Sequence, residues 1–453
     1  MRRELLVGRR RRLLTFAVAA AVAVAFADSS IVVLALPDLY GAFDTTIVGV
    51  SWVITSYNLV VTVCAFALVP LVKRVDVGRV SRIGLALFCA GSIGCAASWN
   101  LAGLIVFRCL QGVGGAMLLA GSLALLAALA GSPGRGVVIW TTAGTLGLAL
   151  GPALGGVLTQ LLDWRAIFAF QAPVALTALV AAFESHLHPR AGRRGTPVFG
   201  ANLGLAFVFG ALVGALFLAV LLVITVWGLS PVAGAVVVSA LPLAALACRF
   251  LAGSLSPQLG VRAGAGLLAA GLVALALLPA TSTAIVAVAL GLCGAGLGLA
   301  VPVLTRTAVR PDETLVRSGT MTIGARHAGL VVALALVAPL LSHDLERGGR
   351  DALLRGTKVA LDGDAPIRQK VPIALDLRKA LENAPKGEVP DLAEPFNRRG
   401  AAHDERLRRV RDSLTDAIEG AVTRSFRASF ALSALFALLA LAPVLASRRL
   451  RAG

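Results

Sequence analysis

The chain has 453 residues, 57% of them hydrophobic and 15% charged, with a mean hydropathy of +0.85. Soluble domains hold about 45–50% apolar residues. Here the excess comes as repeated, nearly charge-free runs of about 18–25 residues, which excludes an ordinary soluble protein and reads as a polytopic helical membrane protein. The formal net charge of +18 does not mark a nucleic-acid partner, because Lys and Arg gather in the short gaps between apolar runs, where they set orientation in a membrane.

In chain order, the runs predict helices near 13–36, 47–71, 80–98, 101–129, 136–159, 165–183, 201–227, 231–252, 262–279, 283–306, 317–341 and 425–446. The basic stretch ahead of the first run could belong to a cleaved signal peptide, but the run to Leu36 is too long for a signal core and is taken as a span. Twelve spans put both termini on one side. Basic residues from Arg2 to Arg12, at Lys73, Arg74, Arg79 and Arg82, at Arg190, Arg193 and Arg194, and at Arg448, Arg449 and Arg451 all fall on one face. The opposite short gaps hold only Arg165. The positive-inside rule makes the basic face cytoplasmic, so the expectation is a multi-pass protein of the cytoplasmic membrane with both termini inside.

The polar, basic residues 186–200 divide the chain into a six-helix half, 1–185, and a second half, 201–453. The gap 342–424 differs from the others. It holds 15 of the 24 Asp and Glu residues and is expected to lie outside as a polar segment, with helices over Leu375–Leu381 and Glu405–Val422 and a possible external partner. The six cysteines lie in or beside apolar runs without metal-ligand spacing, which predicts small core residues. No triad, metal cluster or phosphate-binding loop is legible, so neither an enzyme nor a bound cofactor is expected.

Several stretches carry a family resemblance. Gly147, Gly151 and Gly155 recur every four residues, with Pro152 and Gly156 beside them. On a helix they make a stripe almost free of side chains, which allows close helix approach in lipid, and the proline should bend that helix. The pattern G-xxx-G-P-xx-G-G resembles the fifth-helix motif of proton-coupled drug exporters of the major facilitator superfamily. Asp28 to Pro37 (D-S-S-I-V-V-L-A-L-P), Trp52 to Tyr57 (W-V-I-T-S-Y), Arg108 to Gly114 (R-C-L-Q-G-V-G), Trp164 to Phe168 with Pro173, and Gly324 to Gly329 (G-A-R-H-A-G) resemble signatures of the same family in the same order. The resemblance implies an all-α fold of twelve helices in two six-helix halves and a cavity between them, with Trp52, Tyr57, Gln111, Arg326 and His327 as cavity candidates. The loop after the second helix departs from the family pattern G-x-L-x-D-R-x-G-R-R. Leu71 replaces its first glycine and Val75 its acid, leaving Asp76, Gly78 and Arg79 to serve as a latch between halves.

Of the nine acids outside 342–424, only Asp28 lies deep within a span. An ionised carboxylate near mid-bilayer costs about 2.5–3.5 kcal/mol on insertion scales, so it needs a partner, water or a proton. Asp28 is nine residues before Pro37 and Arg108 seven after Leu101, which puts them about 13 and about 10 Å inside the same face at 1.5 Å per residue. The matching depths predict an Asp28–Arg108 pair that exchanges partners as Asp28 takes and releases a proton, the proton being the coupling ion. Arg326 and His327 lie at similar depth from the basic face. Adjacent helical residues diverge by about 100°, so at most one of the two is expected to face the cavity squarely. The expected activity is proton-driven export of an amphipathic small molecule. The intramembrane charge is net basic, which argues against a strongly cationic substrate. The alternatives are movement of a lipid or envelope precursor between leaflets by the same fold, or a non-transporting scaffold whose external segment binds a partner.

Overall fold

A computed structural model describes residues 2–72, 74–184, 198–279, 281–309, 315–362, 409 and 419–446. Among them there is no strand. The helices are α1 (Arg2–Val33), α2 (Leu36–Ala42), α3 (Ile47–Leu71), α4 (Val77–Ala96), α5 (Leu101–Ala130), α6 (Pro133–Leu161), α7 (Arg165–Glu184), α8 (Phe199–Val220), α9 (Pro231–Cys248), α10 (Pro257–Ala276), α11 (Thr283–Ala308), α12 (Leu315–Asp362), α13 (Arg427–Leu439) and α14 (Leu441–Ala446). Twelve stretches are long and apolar enough to cross a membrane, the last running from Glu419 to Pro443 through short breaks at Phe426 and Ala440.

Helix starts follow capping chemistry visible in the sequence. Thr46, Asp76, Asn100, Ser132, Ser230, Ser256 and Ser282 each accept a backbone N–H from the first turn of the helix they precede. After Ser132, Ser230 and Ser256 comes a proline in the first turn, where its missing donor costs nothing. Gly131 ends α5 in the left-handed region at φ 78°, the conformation glycine adopts without strain.

Two helices run well beyond the expected bounds. Helix α1 begins at Arg2 rather than near residue 13, and Arg11 donates to the carbonyls of Leu129 and Ala128. A cation there completes the carbonyl end of α5, which holds the basic extension against the bundle. Helix α12 runs past the apolar stretch to Asp362, so the segment after residue 341 starts as a continuation of that helix. The helix expected at Leu375–Leu381 and most of that at Glu405–Val422 lie outside the described residues, as does most of the 186–200 linker.

Helix α8 is apolar all round and almost wholly buried, packed on α11, α12 and α13 and continued by one π-helical segment, Leu221–Val226. A helix with no polar face takes the centre of its bundle. The six-helix halves meet along two seams, α6 on α9 and α3 on α12.

On the face opposite the basic loops, the half-buried Asp38 of α2 is held above the usual carboxylate range by burial, with the negative charge of Asp163 adding to it. Folding therefore favours the neutral carboxyl. Its contribution to stability is full below about pH 4 and is lost as pH rises through the raised value. Asp38→Asn should raise thermal stability at about pH 8 and leave it unchanged at acid pH, which paired melting curves will read.

Candidate transport site

Four helices of the first half converge on one buried ion pair. Arg108 of α5 grips Asp28 of α1 with both Nη groups, at 2.8 Å to Oδ1 and 2.7 Å to Oδ2, and neither side chain has any exposed surface. The rest of the guanidinium is also engaged. Nε donates to the Val53 carbonyl of α3 at 2.8 Å, and Nη1 donates to Gln111 Oε1 at 2.7 Å. The ring of Tyr57 lies 4.4 Å from Arg108 Cζ, and that of Phe168 5.6 Å. Gln171 of α7 donates to Asp28 Oδ1 at 3.1 Å and accepts from Gln111 Nε2 at 2.7 Å. Buried charge is tolerated when it is paired and its remaining donors are satisfied, and the planar fork of arginine supplies that geometry. Matching depth had pointed to this pair. Gln171 was missed, although a lone amide in the run Phe168-Ala169-Phe170-Gln171-Ala172 is a visible signal.

The glycine stripe explains why α1 sits where it does. A Cβ on Gly147 would collide with the Ala23 carbonyl, one on Gly151 with the Ser30 hydroxyl, and one on Gly155 with the Ile31 carbonyl. The stripe therefore seats α6 against the turns of α1 that hold Asp28. Gly156 belongs to the other seam, since a Cβ there would meet Ala235 and Pro231 of α9 in the second half. Helix α6 runs unbroken through Pro152.

A small cavity of about 30 Å³ lies between the halves, lined by residues that include Phe26, Ser29 and Ser30 of α1, Phe209 of α8, and Arg326 and His327 of α12. That is room for about two waters. Both Arg326 and His327 reach it, contrary to the expectation of at most one. Helical divergence fails as a guide because α1, α6 and α8 all contribute walls to the cavity beside α12. Arg326 is 7% exposed, and its Cζ lies between two rings, 4.4 Å from Phe26 and 4.1 Å from Phe209. Its Nε has no hydrogen-bond partner. His327 Nδ1 is 2.6 Å from Asn58 Oδ1 of α3, which also accepts from Ser29 at 3.1 Å, while Asn58 Nδ2 donates to the Ile54 carbonyl at 2.8 Å. With the amide oriented by Ile54, the histidine proton belongs on Nδ1. Asn58 thus ties the second half to the residue next to Asp28.

Three cavity candidates do not line this cavity. Trp52 is 45% exposed on the outside of the bundle, because it follows the outward face of α3. Tyr57 and Gln111 are fully buried in the Asp28–Arg108 cluster, where Gly112 and Gly115 leave room for the tyrosine backbone and hydroxyl.

The sequence pattern of the Major Facilitator Superfamily matches residues 18–336, which include the ion pair, the glycine stripe and the cavity arginine. The chain belongs to this superfamily. Its members are transporters rather than enzymes, and the chain is a multi-pass membrane transporter. It is similar to the multidrug resistance protein Stp of Mycobacterium tuberculosis, 28% identical over 415 residues, covering 73% of this chain and 77% of that protein. It also resembles the methylenomycin A resistance protein of Bacillus subtilis, 34% identical over 160 residues, covering 35% of this chain and 34% of the relative. In fold it is similar to a bacterial homologue of the human lysosomal transporter Spinster, with TM-score 0.68 at 17% identity, covering 97% of both chains.

Within this facilitator, the loop after α3 departs from the family pattern in a way the structure accounts for. Asp76 is exposed, and its carboxylate accepts from Gly78 N at 2.8 Å as the cap of α4. Arg79 is exposed beside it. Val72 and Val77 of the loop region instead form a separate apolar cluster with Val316 of α12, backed by Leu68 and Ala124. The halves therefore touch at the basic face through an apolar contact that includes no acid. Screening acts on charges and not on such a contact. Closure at this face should accordingly persist at about 1 M salt, and Val316→Asp should open it. Maleimide labelling of Ser318→Cys, a buried position in the parent, is the readout for both.

Proposed function

We propose that this facilitator exports amphipathic small molecules, drugs or metabolites, by alternating access, and that proton entry through Asp28 drives the cycle. The observation that carries the reading is the fully buried, bidentate Asp28–Arg108 pair, set against the glycine seam and one residue from the cross-half link through Asn58. In the closed form the carboxylate has no solvent contact, so a proton reaches it only when the halves part. Protonation weakens the grip of Arg108, and that differential between conformations is what coupling needs. The names of the relatives, a multidrug resistance protein and a methylenomycin A resistance protein, support drugs as the class of cargo. The nearly all-apolar α8 and the phenylalanines at the cavity support an amphipathic cargo. The basic loops favour the cytoplasmic membrane, with both termini inside.

The test is purified protein in liposomes with a trapped pH-sensitive dye. Soluble amphipathic drugs added to one side should trigger proton flux across the membrane. Movement of labelled lipid between leaflets without drug-triggered flux would replace this reading with lipid translocation.

A further inference from the structure

We propose that Arg326 is the receptor for an anionic group, a carboxylate or phosphate carried on an apolar body, on the molecule this transporter moves. The proposal deepens the export reading above and rests on it. Arg326 is a cation more than nine-tenths buried at the centre of the molecule, on the wall of the cavity between the halves. Neither Asp nor Glu lines that cavity, and among the described residues no carboxylate pairs with Arg326. The contrast with Arg108 is internal to the protein. Arg108 has a bidentate acid, a carbonyl and an amide, whereas Arg326 has two aromatic faces and an unpartnered Nε.

Two rings pack on the guanidinium carbon, at 4.4 and 4.1 Å, while Nε, on the guanidinium edge, has no partner and marks the side on which a ligand can bind. Planar bidentate recognition of an oxyanion takes place at that edge. The space beside it holds about two waters, which is also the space of the two oxygens of a carboxylate. Ser29, Ser30 and His327 supply further polar atoms on the same wall. Phe26 comes from α1 and Phe209 from α8, so the cation is clamped between the two halves and an anion bound to it contacts the element that moves. The apolar remainder of the cargo has Leu212, Leu216 and Leu330 to pack against.

The test compares three pyrene probes on purified full-length protein by fluorescence anisotropy: pyrenebutyrate, the neutral pyrenebutanol and the cationic pyrenebutyltrimethylammonium. The parent should bind pyrenebutyrate about tenfold more tightly than pyrenebutanol and the ammonium most weakly. Arg326→Gln should bind the acid and the alcohol equally, and a single cooperative melting transition shows that the variant is folded. Arg326→Lys should keep part of the preference. The proposal is overturned if Arg326→Gln retains the preference for the acid, or if the parent binds the alcohol or the ammonium at least as well. Binding of all three probes without charge preference overturns this assignment and leaves export standing, whereas binding of none overturns both. Displacement of pyrenebutyrate by lysophosphatidate identifies a lipid headgroup as the anion source. Displacement by short aromatic carboxylates alone identifies a soluble acid.

Discussion

Asp28→Asn should reduce proton-driven transport in liposomes to the level of protein-free vesicles while leaving binding of uncharged amphiphiles intact. The amide is nearly isosteric and can still accept from Arg108, but it can neither hold a negative charge nor take up a proton. Arg108 then becomes a buried cation without a counter-charge. Removing one partner of a buried pair costs about 3–5 kcal/mol, whereas replacing both with neutral groups is close to neutral. Asp28→Asn should therefore melt at lower temperature than the parent, and Asp28→Asn combined with Arg108→Gln should recover most of that stability without recovering proton-driven transport. The pair of measurements separates a structural anchor from a coupling site. If the double variant regains proton-driven transport along with stability, the carboxylate is only an anchor. If Asp28→Asn itself still transports against a gradient, the coupling assignment is wrong.

Substitutions along the glycine stripe should rank by what each new Cβ meets. Gly147→Ala should be the most damaging, because the obstacle is the Ala23 carbonyl, a backbone atom that cannot turn aside. Gly151→Ala meets the Ser30 hydroxyl, which currently donates to the Ala27 carbonyl. Gly151→Ala combined with Ser30→Ala should therefore be rescued, and Gly147→Ala should have no such rescue. Overpacking of this kind costs about 1–3 kcal/mol, and at Gly147 the cost falls on the α1–α6 contact that holds Asp28 in place. Gly134, where a Cβ meets nothing within 4 Å, is the internal control. Gly156→Ala presses on α9 instead and should loosen the seam between the halves with little loss of thermal stability. Melting temperature and transport, measured on the same five variants, give the ranking. Equal effects at positions 134 and 147 would rule out the steric account.

Much of this was legible in the chain because a membrane restricts the solutions. Apolar run length fixed the twelve spans, since each must bury its backbone polar groups within a single helix. Depth along a straight helix is arithmetic, so residue counts together with the family resemblance could pair Asp28 with Arg108, and a four-residue glycine period announced a close helix contact.

Azimuth was not legible. Whether Trp52 faces outward and Tyr57 inward on one helix, and how Arg326 and His327 both reach one cavity, depends on which neighbours surround each helix. Sequence spacing carries no information about those neighbours. Gln171 and Asn58 stayed hidden for a related reason: an amide in a span acquires meaning only from the residue brought opposite it. The partnerless state of Arg326 and the apolar contact at Val72, Val77 and Val316 likewise came only from the tertiary structure. Both are relations between helices far apart in the chain, decided by packing rather than by composition.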